Sequence, residues 1–257
     1  RTSSIHAYAT TVFERDGVHA ADGSFSASSN TLQARSNLPV YQRQIFPERV
    51  LSEKQVQGET LWENGSVRLW KLPQVDAEIG ILSITSKNHT LGRDVILGVQ
   101  EAVTRAERDL KGLVIWHEAP FAFGANLKEV VEGIAAGKFD LLDEYVGEFQ
   151  KASMCFKYDK VPVVAAVQGM ALGGGCEFLM HCDKRVIALE SYIGLVEAGV
   201  GLIPAGGGCK EFAIRAAQAA AKTGGNDVFE QIQPVFMTIA MANVSKSGAQ
   251  AKELGFA

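Results

Sequence analysis

The spacing of apolar and polar residues changes near Val67. Residues 1–38 are rich in Ser, Ala, Thr and Asn with little hydrophobic periodicity, which predicts a linker or loosely ordered arm. Beyond it, Val67–Leu72 and Ile79–Thr85 are short β-prone runs separated by a polar turn containing Pro73. Asp94–Leu110 carries Val95, Val99, Val103 and Leu110 at helical spacing. Gly112–Trp116, Pro162–Val167 and Arg185–Leu189 read as strands. Leu127–Ala136, Leu141–Tyr158, Gly174–Cys182, Cys209–Ala221 and Val228–Asn243 read as helices. Strands alternating with helices predict an α/β chain with crossover connections and a largely parallel sheet. No internal repeat is evident.

Charge and cysteine usage narrow the function classes. A net charge of −4 and a pI of about 5.8 give no basic patch for nucleic acid or an anionic membrane surface. No apolar run reaches the roughly 18 residues of a transmembrane segment. Cys155, Cys176, Cys182 and Cys209 lack Cys-x-x-Cys spacing, which argues against a zinc ribbon or a dithiol pair. Reduced thiols and a cytoplasmic location are the expectation. The chain begins without Met and stops at Ala257 after an apparent helix, so a piece of a longer polypeptide is expected.

Two segments hold candidate chemistry: Pro120–Glu129 (PFAFGANLKE) and Val161–Phe178 (VPVVAAVQGMALGGGCEF). Each places glycines between a predicted strand and a predicted helix. Such a turn presents backbone N–H groups to developing negative charge. A dinucleotide fingerprint fails: from Gly173, Gly199 or Gly206 the sixth position is Phe178, Pro204 or Glu211. No phosphate-binding Gly-Lys-Ser/Thr loop and no nucleophile elbow occurs. Taken alone, a Gly-rich turn is more often structural punctuation. Two acids change that weighting. Glu177 falls in the first turn of a predicted helix, and Glu197 lies within the apolar run YIGLVEAGVGLIP. Buried carboxyls need a partner or a task, and two of them beside two N–H turns suggest acid/base work on a carbonyl compound.

These segments resemble the crotonase superfamily over roughly residues 65 to 215. Phe121, Gly124, Ala125, Leu127, Lys128 and Glu129 fit its Phe-x-x-Gly-Ala-Asp-Leu-Lys-Glu stretch. Ala171 to Glu177 fit its Ala-Leu-Gly-Gly-Gly-Cys-Glu stretch without a departure. Glu197 stands 20 residues after Glu177, the spacing of the family's second acid. The resemblance implies a crotonase-like α/β fold of repeated ββα units, with the C-terminal helices truncated. It implies backbone N–H groups of Ala125 and Gly174 as an oxyanion hole. Glu177 would then be the base on a water and Glu197 the acid toward Cα. Ala122, Gly124, Asn126, Leu127, Gly173 and Val196 would contact the substrate.

The implied activity is hydration of trans-2-enoyl-CoA in fatty-acid β-oxidation, with no metal and no cofactor. The alternatives are a Δ3,Δ2-enoyl-CoA isomerase using Glu197, or a non-catalytic acyl-CoA-binding domain. Asn126 stands in place of the family's Asp, and His89-Thr90 in place of an Asn-Ala pair near the CoA entrance. The flanking PVYQRQIFPERVLSEK resembles multifunctional β-oxidation proteins, which implies residues 1–60 as a connector and 61–257 as the hydratase domain. A 3-hydroxyacyl-CoA dehydrogenase domain, the only part to use NAD, would be its partner in the parent chain. A homo-oligomer is a further expectation. His117 and Glu118 read as a solvated strand-end pair, His181 as no metal ligand for want of a second ligand pair, and Trp62 and Trp70 as packing of the first strands.

Overall fold

The computed structural model of the protein describes residues 19–20, 23–26, 28–34, 51, 58–222 and 227–257. The chain divides into two compact units, Arg1–Ser52 and Glu53–Ala257. In the first, strands β1 (His19–Ala20), β2 (Gly23–Ser26) and β3 (Thr31–Gln33) pair antiparallel. They fall inside the stretch predicted to be an arm without regular elements. Strands of two to four residues are too short for an alternating pattern to register. The rest of that predicted arm lies outside the described residues.

The second unit holds one six-stranded sheet in chain order: β4 (Glu59–Glu63), β5 (Val67–Leu72), β6 (Asp76–Ile84), β7 (Gly112–Ile115), β8 (Val163–Leu172) and β9 (Lys184–Gly194). The prediction of a largely parallel sheet holds only from β6 onward. β4, β5 and β6 are antiparallel because residues 64–66 and 73–75 are too short for a crossover. From β6 to β9 every pairing is parallel, and every connection contains a helix. These are α1 (Arg93–Asp109), α2 (Leu127–Ala135) with α3 (Phe139–Tyr158), and α4 (Gly174–His181). A 3-10 turn (Glu197–Val200), α5 (Gly208–Lys222), α6 (Phe229–Ala240) and α7 (Gly248–Glu253) follow.

The heptad-like spacing of α1 has the packing consequence it predicts. Val95, Val99, Ala102, Val103 and Ala106 are all buried, within one core with Leu69, Leu82, Ile84 and Ile115. Each large aliphatic side chain so buried contributes about 1.5–3 kcal/mol. Trp70 is buried, its indole N–H donating to Ser83 Oγ at 2.9 Å, whereas Trp62 is half-buried under the Arg105 guanidinium. Rigid parallel strands behind this core fix where β7 and β8 end, and the functional turns begin there. Among the described residues no helix is long and apolar enough to cross a membrane.

Candidate active site

Beyond β7 the chain turns through Pro120–Ala125 and runs beside the end of β8. Ala122 N donates to Met170 O (3.0 Å), and Leu172 N donates to Ala122 O (2.9 Å). Leu91 N donates to Gly124 O (2.8 Å) from the other side. Gly124 has φ +86°, and a Cβ there would sit 2.8 Å from Leu172 O and 3.0 Å from Gly174 N. Only glycine lets the two turns come this close. The N–H groups of Ala125 and Gly174 are thereby brought to one place. No backbone carbonyl of the described residues accepts from either. Gly174 opens α4, so its N–H belongs to the unpaired first turn, where the helix dipole favours negative charge.

Both groups border a cavity of ≈ 420 Å³. Of the residues singled out in the sequence, Glu177, Glu197, Gly124, Leu127, Gly173 and Val196 line it. Ala122 and Asn126 do not. Ala122 is fully buried, its methyl filling the space where a Cβ on Gly175 would be. Asn126 instead caps α2, its Oδ1 accepting from Lys128 N (3.3 Å) and its Nδ2 donating to Glu129 (2.6 Å). The cavity's apolar wall was not legible as a site: Val130 and Ile134 of α2, and Phe139, Leu142 and Val146 of α3. Its signal was that α2 is amphipathic yet has no buried residue, so its apolar stripe faces open space.

The two acids differ in their partners. Glu177 is 2% exposed, and its carboxylate accepts from Gly208 N (2.8 Å) and Gly206 N (3.1 Å). Glu197 opens the 3-10 turn, and its Oε2 is buried without a hydrogen-bond partner. Burial, then the charge of Glu197, push the Glu177 carboxyl up to about 8 against the pull of the Gly206–Gly208 donors. Burial pushes Glu197 up to about 6. Both carboxyls are thus biased toward the neutral form, Glu177 the more strongly. That order is the reverse of the base and acid roles the resemblance implies.

The histidines also depart from expectation. His117 is fully buried and not solvated: its Nε2 donates to Phe121 O, and its ring lies 4.3 Å from that of His89. Buried His89 bonds Pro120 O through Nδ1 (2.5 Å), so the pair braces the Pro120–Ala125 turn from behind and does not line the cavity. Tyr145, unremarked in the sequence, lines the cavity and donates its hydroxyl to Leu91 O (2.5 Å). Among the described residues no His, Cys, Asp and Glu cluster could hold a metal ion.

The family model described as enoyl-CoA hydratase/isomerase matches residues 77–224. A Bacillus subtilis (strain 168) protein named "Probable 3-hydroxyacyl-CoA dehydrogenase" is 39% identical over 178 residues, covering 69% of this chain and 22% of that protein. The fatty acid oxidation complex subunit alpha of Acinetobacter baumannii (strain AYE) is 35% identical over 108 residues, 42% of this chain and 15% of its own length. The chain thus spans less than a quarter of these relatives. A solved enoyl-CoA hydratase from Polaromonas sp. JS666 shares the fold, with a TM-score of 0.60, 21% identity, and coverage of 75% of this chain and 69% of the other.

Proposed function

The chain belongs to the enoyl-CoA hydratase/isomerase family, and from that premise we propose that it adds water to trans-2-enoyl-CoA thioesters in fatty-acid β-oxidation. The observation that supports hydration most is the convergence of Glu177 and Glu197 on one apolar cavity with the free N–H groups of Ala125 and Gly174. The thioester carbonyl accepts from those two N–H groups, and the acyl chain lies against Val130, Ile134 and Leu142. Water adds its oxygen to C3 and gives a proton to Glu177. Glu197 gives its own proton to C2. Charge that grows on the thioester oxygen meets two preorganised donors, each worth a few kcal/mol in such sites.

This sequence needs Glu177 ionised and Glu197 protonated at the start. Burial raises both carboxyls, and the charge of Glu197 raises Glu177 further. A water donating to the Glu177 carboxylate supplies a charge-assisted hydrogen bond of about 1.5–3 kcal/mol. Such a water moves the shared proton to Glu197, whose Oε2 has no competing partner. The proton belongs to the pair and is redistributed by whatever lies between its members.

The test follows the loss of conjugated-thioester absorbance with crotonyl-CoA and decenoyl-CoA, in the parent and in Glu177→Gln. Turnover that survives Glu177→Gln undiminished would remove the hydratase reading. The unpartnered Oε2 of Glu197 favours one further reading, Δ3,Δ2-isomerisation by Glu197 alone, which would persist in Glu177→Gln. The reaction moves a proton and a water, so the reading calls for no metal or nicotinamide. The dehydrogenase name carried by the Bacillus relative, and the small share of it that this chain spans, support a hydratase part of a longer protein with a dehydrogenase partner.

A further inference from the structure

Behind the cavity, a buried charged cluster joins α3, α4 and α5 without lining the site. Glu211 of α5 is 3% exposed and accepts from Lys157 Nζ (2.6 Å) and Lys210 Nζ (2.9 Å). Its backbone N–H donates to Gly207 O (2.9 Å). Its carboxylate stands 3.6 Å from His181 Nε2, which is buried without a hydrogen-bond partner. The other ring nitrogen, Nδ1, bonds the carbonyl of Glu177 at 2.7 Å. The same imidazole presses on the Gly206–Gly208 turn: a Cβ on Gly207 would lie 2.7 Å from its Cε1.

A buried carboxylate is costly unless it is paired and hydrogen-bonded, as Glu211 is. Here both ends of the cluster reach Glu177. One reaches its main chain through His181. The other reaches its carboxylate through the turn whose N–H groups it accepts. We propose that Glu211 is a positioning residue for Glu177: anchored by Lys157 and Lys210, and with His181 wedged beside it, it fixes the Gly206–Gly208 turn so that two N–H groups point at the Glu177 carboxylate.

Burial holds His181 down at about 4, so the ring is neutral at neutral pH and acts as a wedge, not a counter-charge. Position and plain electrostatics then predict opposite signs. Replacing Glu211 by Gln removes a negative charge and leaves two lysines uncompensated, which by Coulomb's law alone lowers the Glu177 pKa. Loosening the turn weakens the two N–H donors that stabilise the anion, which raises it. The charge acting on Glu177 from across the cavity, that of Glu197, is untouched, as are the neighbouring thiols of Cys176 and Cys209.

The role rests on the hydratase reading for its catalytic consequence, though not for its titration. The experiment is a carbon-13 titration of the Glu177 side-chain carboxyl in the full chain, assigned with Glu177→Gln, alongside hydration kinetics. For Glu211→Gln the midpoint should rise by about 0.5 or more. At neutral pH kcat should fall by up to about threefold for each 0.5 of that rise while KM stays within about twofold, because the base is less ionised and the thioester contacts are intact. If Glu211→Gln does not fold, Glu211→Asp, which keeps the charge and shortens its reach to Lys157 and Lys210, should give a smaller rise in the same direction. A midpoint that falls or stays put would overturn the positioning role. A midpoint raised in Glu211→Gln, in a protein whose parent form hydrates no enoyl-CoA, would keep the positioning role and remove the hydratase reading.

Discussion

A Cβ at Gly174 is a sharp probe of how tightly the proposed oxyanion turn is packed. It would stand 2.6 Å from Phe149 Cζ and 3.1 Å from Leu91 Cδ1, against about 3.5–4 Å for ordinary carbon contact. The Phe149 ring must retreat by about 1 Å, and it has little room. One face stacks on Phe178 with centroids 5.1 Å apart, and its edge fills the space beside Gly206, where a Cβ would be 1.8 Å from Cε1. Gly174→Ala should therefore cost about 1–3 kcal/mol as overpacking. It should also slow hydration on the order of 10–100-fold, because Phe149 borders both the cavity and the Glu177-binding turn. Phe149→Leu alone loses roughly 1–2 kcal/mol of buried apolar area. In Gly174→Ala/Phe149→Leu the smaller side chain makes room for the methyl. Urea unfolding across the four proteins should give a coupling of at least about 1 kcal/mol, the double variant being more stable than additivity allows. Additive losses would show that Phe149 does not press on the start of α4, and the description of this turn would be wrong.

Glu177→Gln and Glu197→Gln should each slow hydration by about 10²-fold or more, with CoA-thioester affinity by calorimetry nearly unchanged. Near-normal turnover in either would remove that residue from the mechanism. Tyr145→Phe deletes the hydroxyl on Leu91 O, whose N–H holds Gly124 O beside Ala125. It should lower stability by about 1–3 kcal/mol and kcat by roughly tenfold, and an unchanged kcat would disconnect Tyr145 from the oxyanion turn. Both glutamates have pKa values raised above the ordinary carboxyl value, to about 8 and about 6. Their contribution to stability is accordingly full below about 4.5 and is lost as pH rises toward 8. The Glu177→Gln/Glu197→Gln protein should lose less stability than the parent between pH 5 and pH 8 in denaturant titrations, and parallel curves would contradict the burial of these carboxyls.

What the sequence made legible were features written in one local segment. The 3.6-residue period of α1 and the glycines at the end of β8 each needed only neighbours in the chain. Strand β8 was found but cut short, because Gly169, with φ +68° at a register shift in β8, reads as a terminator when it is a bulge within the strand. The antiparallel start of the sheet was hidden by the habit of strands alternating with helices. Its evidence was loop length, since three residues between β5 and β6 permit a hairpin and no crossover. His117 failed for a different reason. A polar residue at a strand end is usually solvated, and only the return of the chain through Phe121 supplies the carbonyl that lets it be buried.

Glu177 shows most clearly why local motifs find a residue without finding its state. Glu177 is fixed to its helix by the Gly-rich turn that precedes it, and that much is sequence-local. Its proton depends on groups 20 to 31 residues away: Glu197 across the cavity, and Gly206 and Gly208, which donate to it. Those donors are main-chain N–H groups, and every residue but proline has one, so composition carries no signal for them. Glycine is needed there for space, because a Cβ at Gly206 would meet Phe149 and come within 2.4 Å of Glu177 Oε2. The PAGGG run after Ile203 is thus a steric requirement imposed by the acid it serves. A chain that kept Glu177 and lost those glycines would keep the acid while losing both donors, and its carboxyl would be driven further toward the neutral form. The functional unit is therefore the acid together with the turn that receives it, and a motif that records only the acid records half of it.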